Sequence, residues 1–84
     1  MKYYVYILQC ADSTLYTGVT KDLQKRLAQH NSGRGSRYTR GRLPVRLIYF
    51  EETGDIKSAM RRELHIRELP RAEKEKLIGR AVNP

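Results

Sequence analysis

Two tyrosines, Tyr6 and Tyr16, an arginine and a histidine four residues apart, Arg26 and His30, and a glutamate, Glu63, are placed where packing alone does not ask for them. A buried tyrosine usually just packs and bonds its hydroxyl. Here Gly18 stands beside Tyr16, and a glycine inside a strand often marks the close approach of a ligand or another backbone. Arg26 and His30 fall on one helix face, next to a Leu23–Leu27 stripe rather than opposite it. They read either as a solvated face or as a pair near phosphate, with Arg stabilising charge on phosphoryl oxygens and His moving protons near neutral pH. Glu63 sits seven residues past Ile56, on the stripe that Ile56, Ala59, Met60, Leu64 and Arg67 should trace. It is either a salt-bridge partner of Arg62 or Arg67, or aimed inward, where one carboxylate with waters and phosphate suits a hard divalent cation.

These side chains need a particular set of elements to bring them together. Residues 3–10, dense in β-branched and aromatic types, predict a strand, and 15–20 a second one after the Ala11-Asp12-Ser13 turn. In such a hairpin Tyr6 and Tyr16 project from the same face, about two rungs apart. Thr20 is the expected N-cap of a helix over roughly 21–30, with Asp22 in its first turn and Asn31-Ser32-Gly33 as its stop. Residues 32–44 read as a loop, long for a small domain, and long loops usually bind something. Val45 to Glu52 is a third strand. Asp55 can cap a helix over about 56–68, and Pro70 starts a last one that ends near Gly79. The order ββαβαα has too little chain for parallel βαβ units. The expected class is α+β: a three-stranded, mainly antiparallel sheet flanked by helices, as one domain over 1–84.

Composition bounds the function. A chain of 84 residues buries only about 60–65% of its unfolded surface, so the core is thin. With 39% hydrophobic and 31% charged residues it is globular rather than disordered. The run Tyr3–Leu8 is too short to span a bilayer, and Met1-Lys2-Tyr3 does not open a signal peptide. A single Cys10 allows no intrachain disulfide and no Cys-based zinc site, and is expected to be a small buried group. The expected compartment is the cytoplasm. The net charge of +8 is concentrated. Lys21, Lys25, Arg26, Arg34, Arg37, Arg40, Arg42 and Arg46 face only Asp22, so residues 21–46 carry +7 while 47–84 carry +1. An Arg-rich segment suits phosphate, because the planar guanidinium donates two hydrogen bonds at once. The indicated partner is a polyanion, most readily nucleic acid.

Assembled, these residues resemble the GIY-YIG nuclease superfamily, in particular its small bacterial members. The name motif corresponds to Tyr4-Val5-Tyr6 and Tyr16-Thr17-Gly18. The likeness continues through Asp22-Leu23, Arg26-Leu27, His30-Asn31, Gly33, Tyr38-Thr39-Arg40, Pro44-Val45, Leu47, Ala59, Glu63, Leu69 and the Arg71-Ala72-Glu73-Lys74 helix. A YxG triplet alone carries no weight; the ordered set does. The resemblance implies a metal-dependent endonuclease using one divalent cation, Mg2+ or Mn2+, held by Glu63. It implies Arg26 as the clamp on the scissile phosphate, Tyr16 as activator of the attacking water and Tyr6 as an orienting residue. His30 would assist positioning or proton transfer, and Tyr38 matches a polar site residue that varies between members. A phenol with a reference pKa near 10 is a weak base unaided, so Tyr16 needs nearby positive charge from Arg26, the metal or Lys21. On intrinsic pKa alone His30 is the more natural base at neutral pH. The leading Gly-Ile is replaced by Tyr4-Val5, and the asparagine that follows the glutamate helix in larger members has no counterpart before Asn83.

The expected activity is hydrolysis of DNA phosphodiester bonds, with selection of a branched, damaged or otherwise non-standard structure rather than of sequence. Lys21, Arg34, Arg37, Tyr38, Arg40 and Arg42 are the expected nucleic-acid contacts. The alternative is a non-catalytic basic module that keeps the fold and binds nucleic acid through the 34–46 arginines. No membrane and no obligate protein partner are indicated.

Overall fold

Residues 2–82 are described by a computed structural model, the last three as backbone only. The hairpin forms as expected, with β1 over Tyr3–Gln9 and β2 over Leu15–Thr20. Tyr6 pairs with Gly18 and Leu8 with Tyr16, so the two site tyrosines do share a face. Asp12 closes the turn by accepting from the Thr14 backbone N–H at 3.1 Å and the Thr14 hydroxyl at 2.6 Å. The third strand, β3, spans Arg46–Thr53 and pairs antiparallel with the other side of β1. The order β2-β1-β3 makes β1 central and β2 an edge.

Asp22, rather than Thr20, caps α1 (Leu23–Asn31), its carboxylate accepting from the Lys25 N–H at 3.1 Å. Thr20 instead steadies the approach by accepting from the Asp22 N–H. A cap carboxylate bonds directly to an orphan donor and is the stronger choice here. The segment expected to be all loop contains a single helical turn, α2 (Arg37–Arg40), because Ser36 caps it by accepting from the Thr39 N–H. The helix α3 (Ile56–Glu68) starts at its expected cap, Asp55. The last helix, α4 (Arg71–Val82), runs through Gly79 instead of stopping there. The expected asparagine counterpart, Asn83, lies outside the described residues.

β1 divides the core by its alternation. Val5 and Ile7 point one way and pack with Ala59 and Ile66 of α3, joined by Leu15, Val19, Ile48 and Leu77. Tyr6, Leu8 and Cys10 point the other way, with Val45, Leu23 and Leu27 of α1. Cys10 is a free, buried thiol, as its type suggested. The expected inner face of α3 is corrected. Ile56, Met60 and Leu64 are 42%, 58% and 55% exposed, whereas Ala59 and Ile66 are fully buried. A three-stranded sheet is too narrow to cover both candidate stripes, and the small Ala59 allows the closer approach. Glu63 lies between Ala59 and Ile66 at i+4 and i−3, so it is on the inward stripe for a different reason than the one first read. Arg62 fixes the rotation of α3 by a two-pronged bond to Glu51 of β3, at 2.8 Å on each prong.

The end of α1 is tied to the entrance of β3. Asn31 donates to the Val45 carbonyl at 3.0 Å and accepts the Val45 N–H at 2.7 Å. Val45 is buried, so water cannot replace these bonds easily. Asn31→Ala should cost about 1–3 kcal/mol, the penalty for unpaired buried backbone groups, read as a lower urea midpoint with unchanged slope.

Candidate active site

The ring of Tyr6 lies across Gly18. A Cβ on Gly18 would stand 2.5 Å from the Tyr6 hydroxyl oxygen, so it is a neighbouring phenol that demands this glycine. The hydroxyl reaches His30 Nε2 at 2.9 Å and accepts from Arg26 Nε at 3.3 Å. On the far side of the imidazole, Nδ1 meets the Thr39 hydroxyl at 2.8 Å. His30 and Thr39 are both fully buried. Gly35 passes so close that a Cβ there would sit 2.2 Å from His30 Nδ1.

The proton positions follow from the donors available. Arg26 can only donate, so the Tyr6 oxygen accepts from it and sends its own proton to Nε2. The imidazole then carries its proton on Nδ1 and donates to Thr39 Oγ1, which has Ser36 Oγ at 3.0 Å as its next partner. Burial pushes the His30 pKa down, and the Arg26 charge pushes it the same way. Burial likewise raises the Tyr6 pKa, partly opposed by the Arg26 hydrogen bond and reinforced by Tyr16 and Glu63. A neutral His30 behind a protonated Tyr6 is the stable arrangement.

Arg26 is held on three sides: by Tyr6, by the Gln29 side chain at 3.1 Å, and by the Gly35 carbonyl at 3.0 Å. Its charged form is favoured first by Tyr6 and further by the Tyr16 hydroxyl, which places Tyr16 beside the guanidinium. The Tyr16 ring meets His30 edge-on at 5.2 Å and lies 6.4 Å from Tyr6. Four of the residues singled out from the sequence therefore stand together. Two are buried behind, Tyr6 and His30, and two are partly open, Tyr16 and Arg26.

Glu63 comes from the opposite side of the sheet and is close enough for its charge to act on Tyr6. Its side chain is 20% exposed and paired with Arg67 at 3.0 Å, one of the two partners foreseen. Among the described residues no three His, Cys, Asp or Glu side chains cluster as a metal site. The donor set is thus one partly buried carboxylate paired with Arg67, and a lone carboxylate suits a hard divalent ion that takes its other ligands from water and phosphate.

Two clefts front the site along β2. One, of about 360 Å³, is lined by Val19, Thr20, Lys21, Asp22, Lys25, Arg26 and Gln29. The other, of about 410 Å³, is lined by Leu15, Tyr16, Thr17, Tyr38, Arg67 and Lys74. Lys21 is exposed and rests over the Tyr3 ring at 5.5 Å. Arg34, Arg37 and Arg40 are exposed around α2. Arg42 is not free in the same sense. It bonds Asp12 at 3.0 Å and the Tyr38 carbonyl at 2.7 Å, and lies 4.1 Å above the Tyr38 ring, which in turn stacks near Tyr16. Arg46, counted with the basic segment, is spent on Gln9 at the other edge of the sheet. Thr39, Ser36 and Gly35 were missed as site residues. The signal available for them was a Ser-x-x-Thr cap between glycines.

The family model of the GIY-YIG catalytic domain matches residues 2–76. The chain belongs to the GIY-YIG nuclease family. It is 50% identical over 77 residues to a UPF0213 protein of Natronomonas pharaonis, covering 92% of this chain and 91% of that one. It is 52% identical over 76 residues to a UPF0213 protein of Clostridium perfringens, covering 90% and 82%. Among solved structures, the solution NMR structure of a UPF0213 protein from Bacillus halodurans superposes with a TM-score of 0.65 at 43% identity, covering 100% of this chain and 89% of that one. An NMR structure of a protein from E. faecalis gives 0.67 at 32% identity, covering 100% and 90%. Among the described residues no helix is long and apolar enough to cross a membrane.

Two outcomes follow from the buried network. The unfolded chain protonates His30 near its ordinary pKa of about 6.5, whereas the folded imidazole resists, so the unfolded state binds more protons as pH falls. Stability should be full above that value and decline below it, and His30→Gln should flatten this part of the profile in urea titrations between pH 5 and 8. Gly18→Ala should push the Tyr6 ring off its partners and cost about 1–3 kcal/mol by thermal melting, although alanine is otherwise the better strand residue.

Proposed function

We propose that this protein is an endonuclease that hydrolyses DNA phosphodiester bonds with one divalent ion, Mg2+ or Mn2+, at Glu63, and selects its substrate by structure rather than sequence. The observation that carries this reading is the network that brings Tyr6, Tyr16, Arg26 and His30 together, with Glu63 near enough for its charge to act on Tyr6. A module that only binds phosphate needs no carboxylate there, since it repels the ligand.

Arg26 is preorganised by its three bonds, and its charge faces the phosphoryl oxygens at no reorganisation cost. Tyr16 is the group placed to orient the attacking water and take its proton, because His30 is fully buried with both ring nitrogens occupied. In that role Tyr16 acts as the phenolate, whose negative charge the neighbouring guanidinium balances, and it becomes the neutral phenol on taking the proton from water. Tyr6 and His30 act as positioning residues. When bound, a hard divalent ion supplies Lewis-acid stabilisation of charge on the phosphoryl oxygens. Lys21, Arg34, Arg37, Arg40 and Tyr38 contribute the surrounding contacts, and Arg42 acts by holding Tyr38. Cations of this kind fix the position of a nucleic acid without reading bases, which favours recognition of shape.

Purified protein incubated with single-stranded, duplex, flapped and four-way DNAs should cleave at least one in magnesium or manganese and none in EDTA. Arg26→Ala should lower the rate per folded molecule by about 10²–10³. Glu63→Gln should abolish cleavage while nearly keeping the melting temperature, because an i,i+4 pair whose arginine is exposed contributes only about 0.3–0.5 kcal/mol and glutamine keeps the shape. DNA binding by Glu63→Gln in EDTA should persist. A destabilised but active Glu63→Gln protein would refute the metal-ligand role, and wild-type binding without cleavage under any metal would favour the non-catalytic module.

A further inference from the structure

The C-terminal half of the chain is nearly neutral by count, but its charges are not evenly cancelled. Arg62 is neutralised by Glu51, Arg67 by Glu63, Arg71 by Glu75 and Lys76 by Glu73. Lys74 has no ion pair or side-chain hydrogen bond among the described residues. It is also half-buried, unlike the exposed Lys57 and Arg61 of α3. A lysine stem packs along apolar surface while its ammonium stays in water, so Lys74 presents an unpaired charge at the rim of the surface its stem covers. Lys74 lines the cleft of about 410 Å³ on the far side of Tyr16, together with Tyr38 and Arg67. Arg67 bonds Glu63 through one terminal nitrogen, has no other side-chain partner among the described residues, and lines the same cleft.

From this geometry we infer that Lys74 and Arg67 form a second phosphate-binding subsite, which takes a backbone phosphate of the nucleic acid away from the scissile one. The inference rests on the nucleic-acid reading and extends it to a strand path. One cleft on β2 ends on Arg26 with Lys21 and Lys25, the other on Tyr16 with Lys74 and Arg67. The two clefts use opposite ends of a six-residue strand, which spans about 17 Å. A nucleic-acid strand carries a phosphate about every 3.4 Å of helix axis, so one backbone can engage both ends with the reacting phosphate between them. The apolar walls, Leu15 and the rings of Tyr16 and Tyr38, suit sugar and base surfaces but not free water or a protein acid. The charge that matters for this subsite comes from α3 and α4, outside the Arg-rich segment.

The test counts phosphates and uses no metal, so it does not depend on cleavage. Binding of a short fluorescein-labelled DNA is followed by anisotropy in EDTA across a salt series, for wild type, Lys74→Gln, Lys74→Arg and the charge-matched Lys57→Gln. Lys74→Gln should weaken binding about tenfold near 0.1 M salt and flatten the log K against log salt slope by about 0.7–0.9, one phosphate's worth. Lys74→Arg should restore the slope, which a merely structural lysine would not require. Lys57→Gln should move the slope by less than half as much. An unmoved slope in Lys74→Gln, or equal effects of Lys57→Gln and Lys74→Gln, overturns the subsite while leaving the nuclease reading standing. Wild-type protein with no salt-dependent DNA binding overturns both.

Discussion

A phenol hydroxyl buried against the neighbouring strand has to find partners inside the protein, and most of the site follows from how Tyr6 finds them. Its ring crosses β2 only because position 18 lacks a side chain. Its oxygen then needs a donor and an acceptor, which Arg26 and His30 of α1 provide from one helix face. The imidazole must stay neutral to accept, so its second nitrogen needs an acceptor, and Thr39 answers from α2. Thr39 is in place because Ser36 starts a helical turn there, and the backbone at Gly35 can pass because it too has no Cβ. One unsatisfied polar atom would cost about 1–3 kcal/mol, and a chain of five residues removes that cost.

The open side of the network inherits its rigidity. Arg26 and Tyr16 are the two members with partial solvent access, and neither is free to wander. Arg26 is braced by Gly35 and Gln29, and Tyr16 by the edges of two buried rings. Tyr38 is held from outside by Arg42, itself anchored on the β1–β2 turn through Asp12. Several arginines of the basic segment are thus parts of the frame, and others face outward from α2.

The sequence made the hairpin and its register legible, since alternation and a three-residue turn leave little choice, and with them the shared face of Tyr6 and Tyr16. The spacing of Arg26 and His30 was equally readable, because a helix places i and i+4 together. What was not readable was which polar group satisfies which. Asp22 and Thr20 compete for one cap, and only the backbone path decides. The face of α3 was misread because Ile56, Met60 and Leu64 form as good an apolar stripe as Ala59 and Ile66; the width of the sheet, set by distant residues, selects the second. Charge counting could not see that Arg42 bonds Asp12 and Arg46 bonds Gln9, because a sum over sequence carries no contacts made through space.

Because β1 sends alternate residues to two separate cores, the two halves of the site belong to different layers of the molecule. Tyr6, Tyr16, Arg26 and His30 depend on the layer closed by α1, whereas Glu63 depends on the layer closed by α3. Proteins open locally in cooperative units well short of global unfolding. Here an excursion that releases either layer carries the carboxylate away from the tyrosines, and the arrangement ceases to exist rather than loosening. On the proposed function, a chain that is incompletely folded holds at most half of the constellation, so its chemistry belongs to the finished fold.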